Sequence, residues 1–126
     1  MEVTPLVAEG RQVIQSYRAD GFTIGGERYA GSVLVWPTLT QAWAVSSFDE
    51  VTEAGLAPLL EAANLPEVLV LGTGATFRMI DPRLRQRLRQ RGIVVECMTT
   101  AAACRTFNVL LVEDRKVAAA LIAVGD

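Results

Sequence analysis

The apolar positions of this chain change their period near its middle. Up to residue 45 they alternate or gather in short runs. "RQVIQSYRA" reads as a strand, and "GFTI" and "ERYAGSVLVW" flank Gly25-Gly26, a glycine pair of the kind that closes two-residue hairpins. Trp36-Pro37 is expected to end that arm, because proline has no N–H to give to a ladder. "QAWAVS" offers one more short strand, and the whole stretch reads as antiparallel. From Ser47 the spacing becomes helical. Leu56, Leu59, Leu60 and Ala63 fall on one face of "SSFDEVTEAGLAPLLEAANLPE", with Ser47 and Glu50 as a capping pair and Pro58 in a first turn.

Beyond residue 66 the segments "EVLVLG", "DPRLRQRLRQRG", "IVVECM", "TTAAACRTFNVLLVED" and "RKVAAALIAV" predict strand, helix, strand, helix, strand. Asp81 is a suitable N-cap with Pro82 in the first helical position, and Gly92 stands where a left-handed residue ends a helix. Thr99 or Thr100 caps the helix that follows. Nearly continuous apolar strands separated by helices pair in parallel through crossovers. The pattern therefore predicts an α/β fold, a single layered domain over 1–126. An antiparallel β-hairpin portion (about 13–45) is joined to a βαβαβ portion with parallel strands (about 67–123), the two sharing one core.

Composition narrows the chemistry. With 126 residues and 51% hydrophobic content the chain can bury a core without disulfides or metal. It contains no histidine, which removes Ser-His-Asp and Cys-His nucleophile pairs and imidazole metal ligands. No catalytic residue, metal or cofactor is expected, and the reading leans away from an enzyme; one built here would have to use carboxylates, Lys116, cysteines or a bound group. Cys97 and Cys104 are too few and too oddly spaced for a disulfide framework and read as small buried hydrophobes. Cys104, in the first turns of its helix, is also where a thiol can be acidified. The start "MEVTPLVAEG" has neither a basic region nor a long apolar run, and no segment approaches the ~20 apolar residues of a membrane span. The expected location is cytoplasmic.

Charge is divided unevenly. Residues 1–67 hold three arginines and nine acids, a balance of −6, while residues 68–126 hold nine basic and five acidic residues, a balance of +4. The positive excess centres on Arg83, Arg85, Arg87, Arg89 and Arg91, with Leu84 and Leu88 as the only apolar stripe of that helix. At 100° per residue Arg83, Arg87 and Arg91 lie on one flank and Arg85 and Arg89 on the other. Three readings stay open: a solvated face paired with the domain's own acids, a surface for an acidic protein partner, and a weak nucleic-acid contact, which the absence of interleaved aromatics disfavours.

A second candidate lies at "VLVLGTGATFRMIDP". A strand that ends in Gly72-Thr73-Gly74 can present backbone N–H groups to an anion. The pattern lacks the Gly-Lys-Ser/Thr ending of a phosphate loop, Phe77 stands where a dinucleotide fingerprint has its third glycine, and Asp81 would repel an anion. A structural turn is thus the first reading. The second is a small-ligand pocket lined by Gly72, Thr73, Gly74, Thr100, Arg105 and Asn108.

The glycine turn, the segment "GIVVECMTTAAACRTFNVLLVEDRKVAAALI" and the upstream "GFTIGGERYAGSVLVWP" resemble a small domain family that includes the mitochondrial NADH dehydrogenase (complex I) assembly factor 3 and an adipogenesis-associated protein. The resemblance runs from about Val13 to Ile122 and is densest at Met98-x-Thr100 and Ala103-Cys104-Arg105-Thr106-Phe107-Asn108. It implies a layered α/β domain and, for the mitochondrial relatives, a non-catalytic role in building a respiratory complex. It transfers no substrate, cofactor or catalytic residue. Without a mitochondrial presequence the chain looks like a free-standing, bacterial-type member. The leading expectation is a soluble interaction or assembly protein with an unidentified protein partner; small-molecule or anion binding at the glycine turn is the alternative, and nucleic-acid binding the third.

Overall fold

A computed structural model describes residues 10–125, which form eight strands in two sheets. β1 (Ile14–Arg18), β2 (Gly21–Ile24) and β3 (Glu27–Ala30) make an antiparallel three-stranded sheet in chain order. β4 (Val33–Trp36), β5 (Leu39–Ala42), β6 (Val68–Gly72), β7 (Val94–Met98) and β8 (Val117–Leu121) make a mixed sheet in the order β5-β4-β8-β6-β7. β6 is parallel to both β7 and β8, whereas β4 is antiparallel to β5 and β8. The helices are α1 (Ala57–Leu60), α2 (Pro82–Gln90) and α3 (Thr100–Val112). This is the α/β arrangement read from the sequence, an antiparallel portion joined to a parallel βαβαβ portion.

The mixed sheet divides the interior in two. Along β8 the side chains alternate, so Ala118, Ala120 and Ile122 join Leu34, Leu69, Leu71 and the Leu84 and Leu88 of α2, while Val117, Ala119 and Leu121 face the other way. On that second face they meet Val33, Val35 and Val70, the Ala103, Cys104 and Phe107 of α3, and Ile14, Phe22 and Ile24 of the three-stranded sheet. Both faces are covered, which is why β4, β6 and β8 read as unbroken apolar runs. The two portions share their packing as the sequence suggests, but in a pair of cores rather than one, with the sheet as their common wall.

Two expectations about the first half need correction. "ERYAGSVLVW" is not one arm: the chain turns at Gly31 (φ +77°), and β3 and β4 belong to different sheets. Ser32 fixes the start of β4, its carbonyl accepting from Trp43 N–H at 2.9 Å and its hydroxyl oxygen from Ala123 N–H at 3.1 Å. The helical spacing over 47–67 yields only a 3-10 turn at Phe48–Glu50 and the single turn of α1. Pro58 in the first turn of α1 gives no N–H, and Leu65 before Pro66 is steered away from helical geometry, so Leu56, Leu59 and Leu60 are buried by short turns rather than by one helix and Ala63, beyond the turn, is exposed. The Ser47–Glu50 capping box does form, ahead of the 3-10 turn.

Candidate functional site

The glycine turn ends β6 against the start of α3. A Cβ on Gly72 would stand 2.9 Å from Thr100 Oγ1 and 3.0 Å from Thr100 Cα, so the absence of a side chain is what lets the helix approach the strand. Thr99 is the N-cap of α3, and Thr100, fully buried, ties three elements together: its Oγ1 accepts from Gly74 N–H at 2.9 Å and its hydroxyl donates to Ile122 O at 2.7 Å. Thr73 N–H donates to Met98 O at 2.9 Å. The Thr73 hydroxyl donates to Thr76 O at 2.7 Å and accepts from Arg78 N–H at 3.2 Å. The donors that would cradle an anion are spent inside the protein.

Arg105 and Asn108 do not converge on that turn. Arg105 is exposed. Asn108 is buried, and its side-chain amide forms two 2.9 Å hydrogen bonds with the backbone of Ile14, accepting from its N–H and donating to its carbonyl. The structure thus gathers Gly72, Thr73, Gly74 and Thr100 into one tight junction and sends Arg105 to solvent and Asn108 to β1.

Cys104 behaves in the opposite sense to an activated thiol. Burial pushes it up from 9.0 to about 12, outweighing the opposing pull of Arg105, so its position near the helix start does not acidify it. Cys97 is half-buried beside Arg85 Nη2, 3.7 Å from its Sγ. Among the described residues no group of three or more cysteines and carboxylates is placed to hold a metal ion, and no helix is long and apolar enough to cross a membrane.

The arginine-rich helix is α2. Asp81 caps it, accepting from Arg83 N–H at 2.8 Å, and at its other end Gly92 N–H donates to Arg89 O and Ile93 N–H to Leu88 O, the paired bonds of a Schellman motif. Leu84 and Leu88 are buried, which turns the polar face outward. The five arginines then part ways. Arg83 pairs with Asp81 at 3.1 Å and holds that carboxyl below the usual carboxylate range; Arg87 lies 3.6 Å from Glu53. Arg85 reaches across the sheet edge, Nη1 donating to Val95 O at 2.8 Å. Arg89 and Arg91 are exposed at the end of the helix with no acidic partner among the described residues. Close by, Arg78 sits 3.7 Å from Asp49 and 4.7 Å above the Phe48 ring, in a loop whose Phe77 and Met79 are more than half exposed.

A third feature was not foreseen from the sequence. At the end of the sheet opposite the glycine turn, a groove of about 760 Å³ opens between the β4–β5 hairpin and the segment after α1, lined by Trp36, Leu39, Pro58, Leu65, Pro66 and Lys116 among others. Its volume lies in the range of about 300–1,000 Å³ typical of small-ligand sites. The Trp36 Nε1–H is enclosed and has no acceptor among the described residues, a state that costs about 1–3 kcal/mol for a buried donor. In the sequence Trp36-Pro37 signalled only the end of a strand; the sharper signal was Lys116, the single lysine of the chain.

The chain is 38% identical over 109 residues to the NADH dehydrogenase [ubiquinone] 1 alpha subcomplex assembly factor 3 of Xenopus tropicalis, covering 86% of this chain and 60% of that protein, so it spans about three-fifths of such relatives. Its fold matches the Rpa2829 protein of Rhodopseudomonas palustris with TM-score 0.82 and 34% identity, covering 96% of this chain and 90% of the other. It also matches a Bordetella pertussis protein described as a Mth938-like domain, with TM-score 0.81 and 27% identity over 100% of this chain and 94% of that one. Residues 14–122 match the model of the protein family of unknown function DUF498/DUF598, and the chain belongs to that family.

Proposed function

We propose that the protein is a non-catalytic interaction protein that assists assembly of a larger complex, using the outer face of α2 to hold an acidic protein partner. The observation that carries this reading is the pair Arg89 and Arg91, exposed at the end of a helix and lacking acidic partners among the described residues. Arginine is favoured at interfaces because its planar fork binds carboxylates in two places at once. Phe77 and Met79, exposed on the loop before α2, are of the side-chain types enriched in interface cores. Relatives named as complex I assembly factors make a respiratory NADH dehydrogenase the first partner to test.

Deleting the gene in cells that contain that complex should lower the amount of assembled NADH dehydrogenase on native gels, with subunit transcripts unchanged. The double variant Arg89→Glu, Arg91→Glu should fail to restore it and fail to retain subunits on affinity purification. Normal assembly without the gene would count against the complex, and recovery of the same subunits by the variant would count against the surface. A small-ligand site at Gly72, Thr73, Gly74, Thr100, Arg105 and Asn108 gains no support from a geometry in which the polar atoms of the turn bond one another and Asn108 bonds Ile14.

A further inference from the structure

Two indoles flank β5 and differ in one respect. Trp43 Nε1–H donates to Gly55 O at 2.8 Å, whereas Trp36 Nε1–H is closed in by protein and meets no acceptor among the described residues. Enclosed side-chain donors in folded proteins are nearly always bonded, and an exception calls for an explanation by a missing partner. Trp36 also forms part of the wall of the groove beside the β4–β5 hairpin.

The groove's charge points the same way. β4 and β8 pair antiparallel through Val35↔Ala119, and continuing that register sets Trp36 beside Ala118. Lys116, two residues before Ala118, therefore lies on the same face of the sheet, two residue pairs further along. It lines the groove, is exposed, and has no acidic partner among the described residues. The rest of the wall, with Leu39, Pro58, Leu65 and Pro66, is mostly apolar, and its remaining polar side chains, such as Gln41 and Asn64, carry no charge.

We propose that this groove binds a monocarboxylate with an apolar body: the body lies against Trp36, Leu39, Pro58 and Leu65, and the carboxylate is held by the Lys116 ammonium and by the Trp36 N–H once the indole turns toward it. An anion satisfies both features at once, since it neutralises the lone cation and supplies the acceptor that the indole lacks. A cationic or purely apolar occupant would leave at least one of them unmet. The site is separate from α2 and does not depend on the assembly reading.

Octanoate is a suitable probe, followed by the two indole N–H resonances in ¹H–¹⁵N spectra of the full chain. Titration should move the Trp36 signal saturably and leave that of Trp43 in place. Lys116→Ala should weaken the affinity about tenfold, the scale of one charge-assisted contact. Trp36→Phe keeps a ring but removes the N–H; followed through the Leu65 and Val117 amides, it should bind octanoate several-fold more weakly while melting no lower than the parent. Octylammonium should not bind. Equal affinity in the parent and in both variants, equal binding of octylammonium, or movement of both indole signals together would overturn the proposal. So would a dimer in sedimentation that covers the groove and is indifferent to octanoate.

Discussion

Asn108 on α3 and Ile14 on β1 are joined by two 2.9 Å hydrogen bonds, the side-chain amide serving the strand as another strand's backbone would. The bond pair anchors the three-stranded sheet to the helix in the middle of a core that is otherwise apolar. Asn108→Leu should therefore cost about 3 kcal/mol or more, because it leaves both the N–H and the carbonyl of Ile14 buried and unbonded. Urea unfolding checks this, and hydrogen exchange should show the Ile14 amide losing protection before amides of β6.

The junction of β6, α3 and β8 makes a second demand. Thr100→Val keeps the shape of the side chain but orphans Gly74 N–H and Ile122 O, at about 2 kcal/mol or more. Gly72→Ala should cost about 1–3 kcal/mol for a different reason, since the new methyl group meets the backbone of Thr100 and must push the helix away. Thermal unfolding of the two single variants and of the double variant would show strong non-additivity, as expected for groups that share one contact.

How far these features were legible beforehand depends on whether a local rule or a distant partner decides them. α2 could be read almost to the residue, because Asp81, Pro82 and Gly92 act on their own neighbours. β6 and β8 were legible because burial on both faces leaves only apolar residues, and β7, at the sheet edge with Glu96 exposed, by its short apolar run after Gly92. The break at Gly31-Ser32 was not, since the preference of β4 for the other sheet comes from β8, more than eighty residues away. The spacing of Leu56, Leu59, Leu60 and Ala63 correctly marked the three leucines as buried but missed that Ala63 is exposed beyond the single helical turn, which Pro58 and Pro66 confine. At the glycine turn the sequence showed which residues were small and polar; only the fold could show that their hydrogen bonds close upon each other and that Asn108 belongs to β1. The groove was invisible for a like reason, being formed by a hairpin, a loop and the start of the last strand.

Cys104 provides a pH prediction. The folded protein holds the thiol proton up to about 12, whereas an unfolded chain releases it near 9.0. Its contribution is thus constant below pH 9 and is lost as the pH rises from there toward 12, because only the unfolded state gains by deprotonation. The slope of stability against pH above 9 should be shallower in Cys104→Ala than in the parent, as equilibrium urea unfolding across that range would show. A thiol reagent at pH 8 should label Cys97 in the folded protein and reach Cys104 only after denaturant is added.

Arg85 differs from the other arginines of α2 in that its guanidinium closes over the open side of β7. Arg85→Ala should lower stability by about 1 kcal/mol through the lost bond to Val95 O and should speed labelling of Cys97. The same change at Arg89, which touches no acid, should leave both measurements where they were.

The central place of β8 constrains how the molecule comes into being. This strand follows all the others in the chain, yet it lies between β4 and β6 and supplies a wall to each core. A chain still being synthesised can form the β4–β5 hairpin early, but nothing joins that hairpin to β6 and β7 until Leu121 has been made. The facing edges of β4 and β6 stay unpaired, and available to other nascent chains, until then. Final closure is therefore one late event, with its cost in loop entropy incurred over distant pairings.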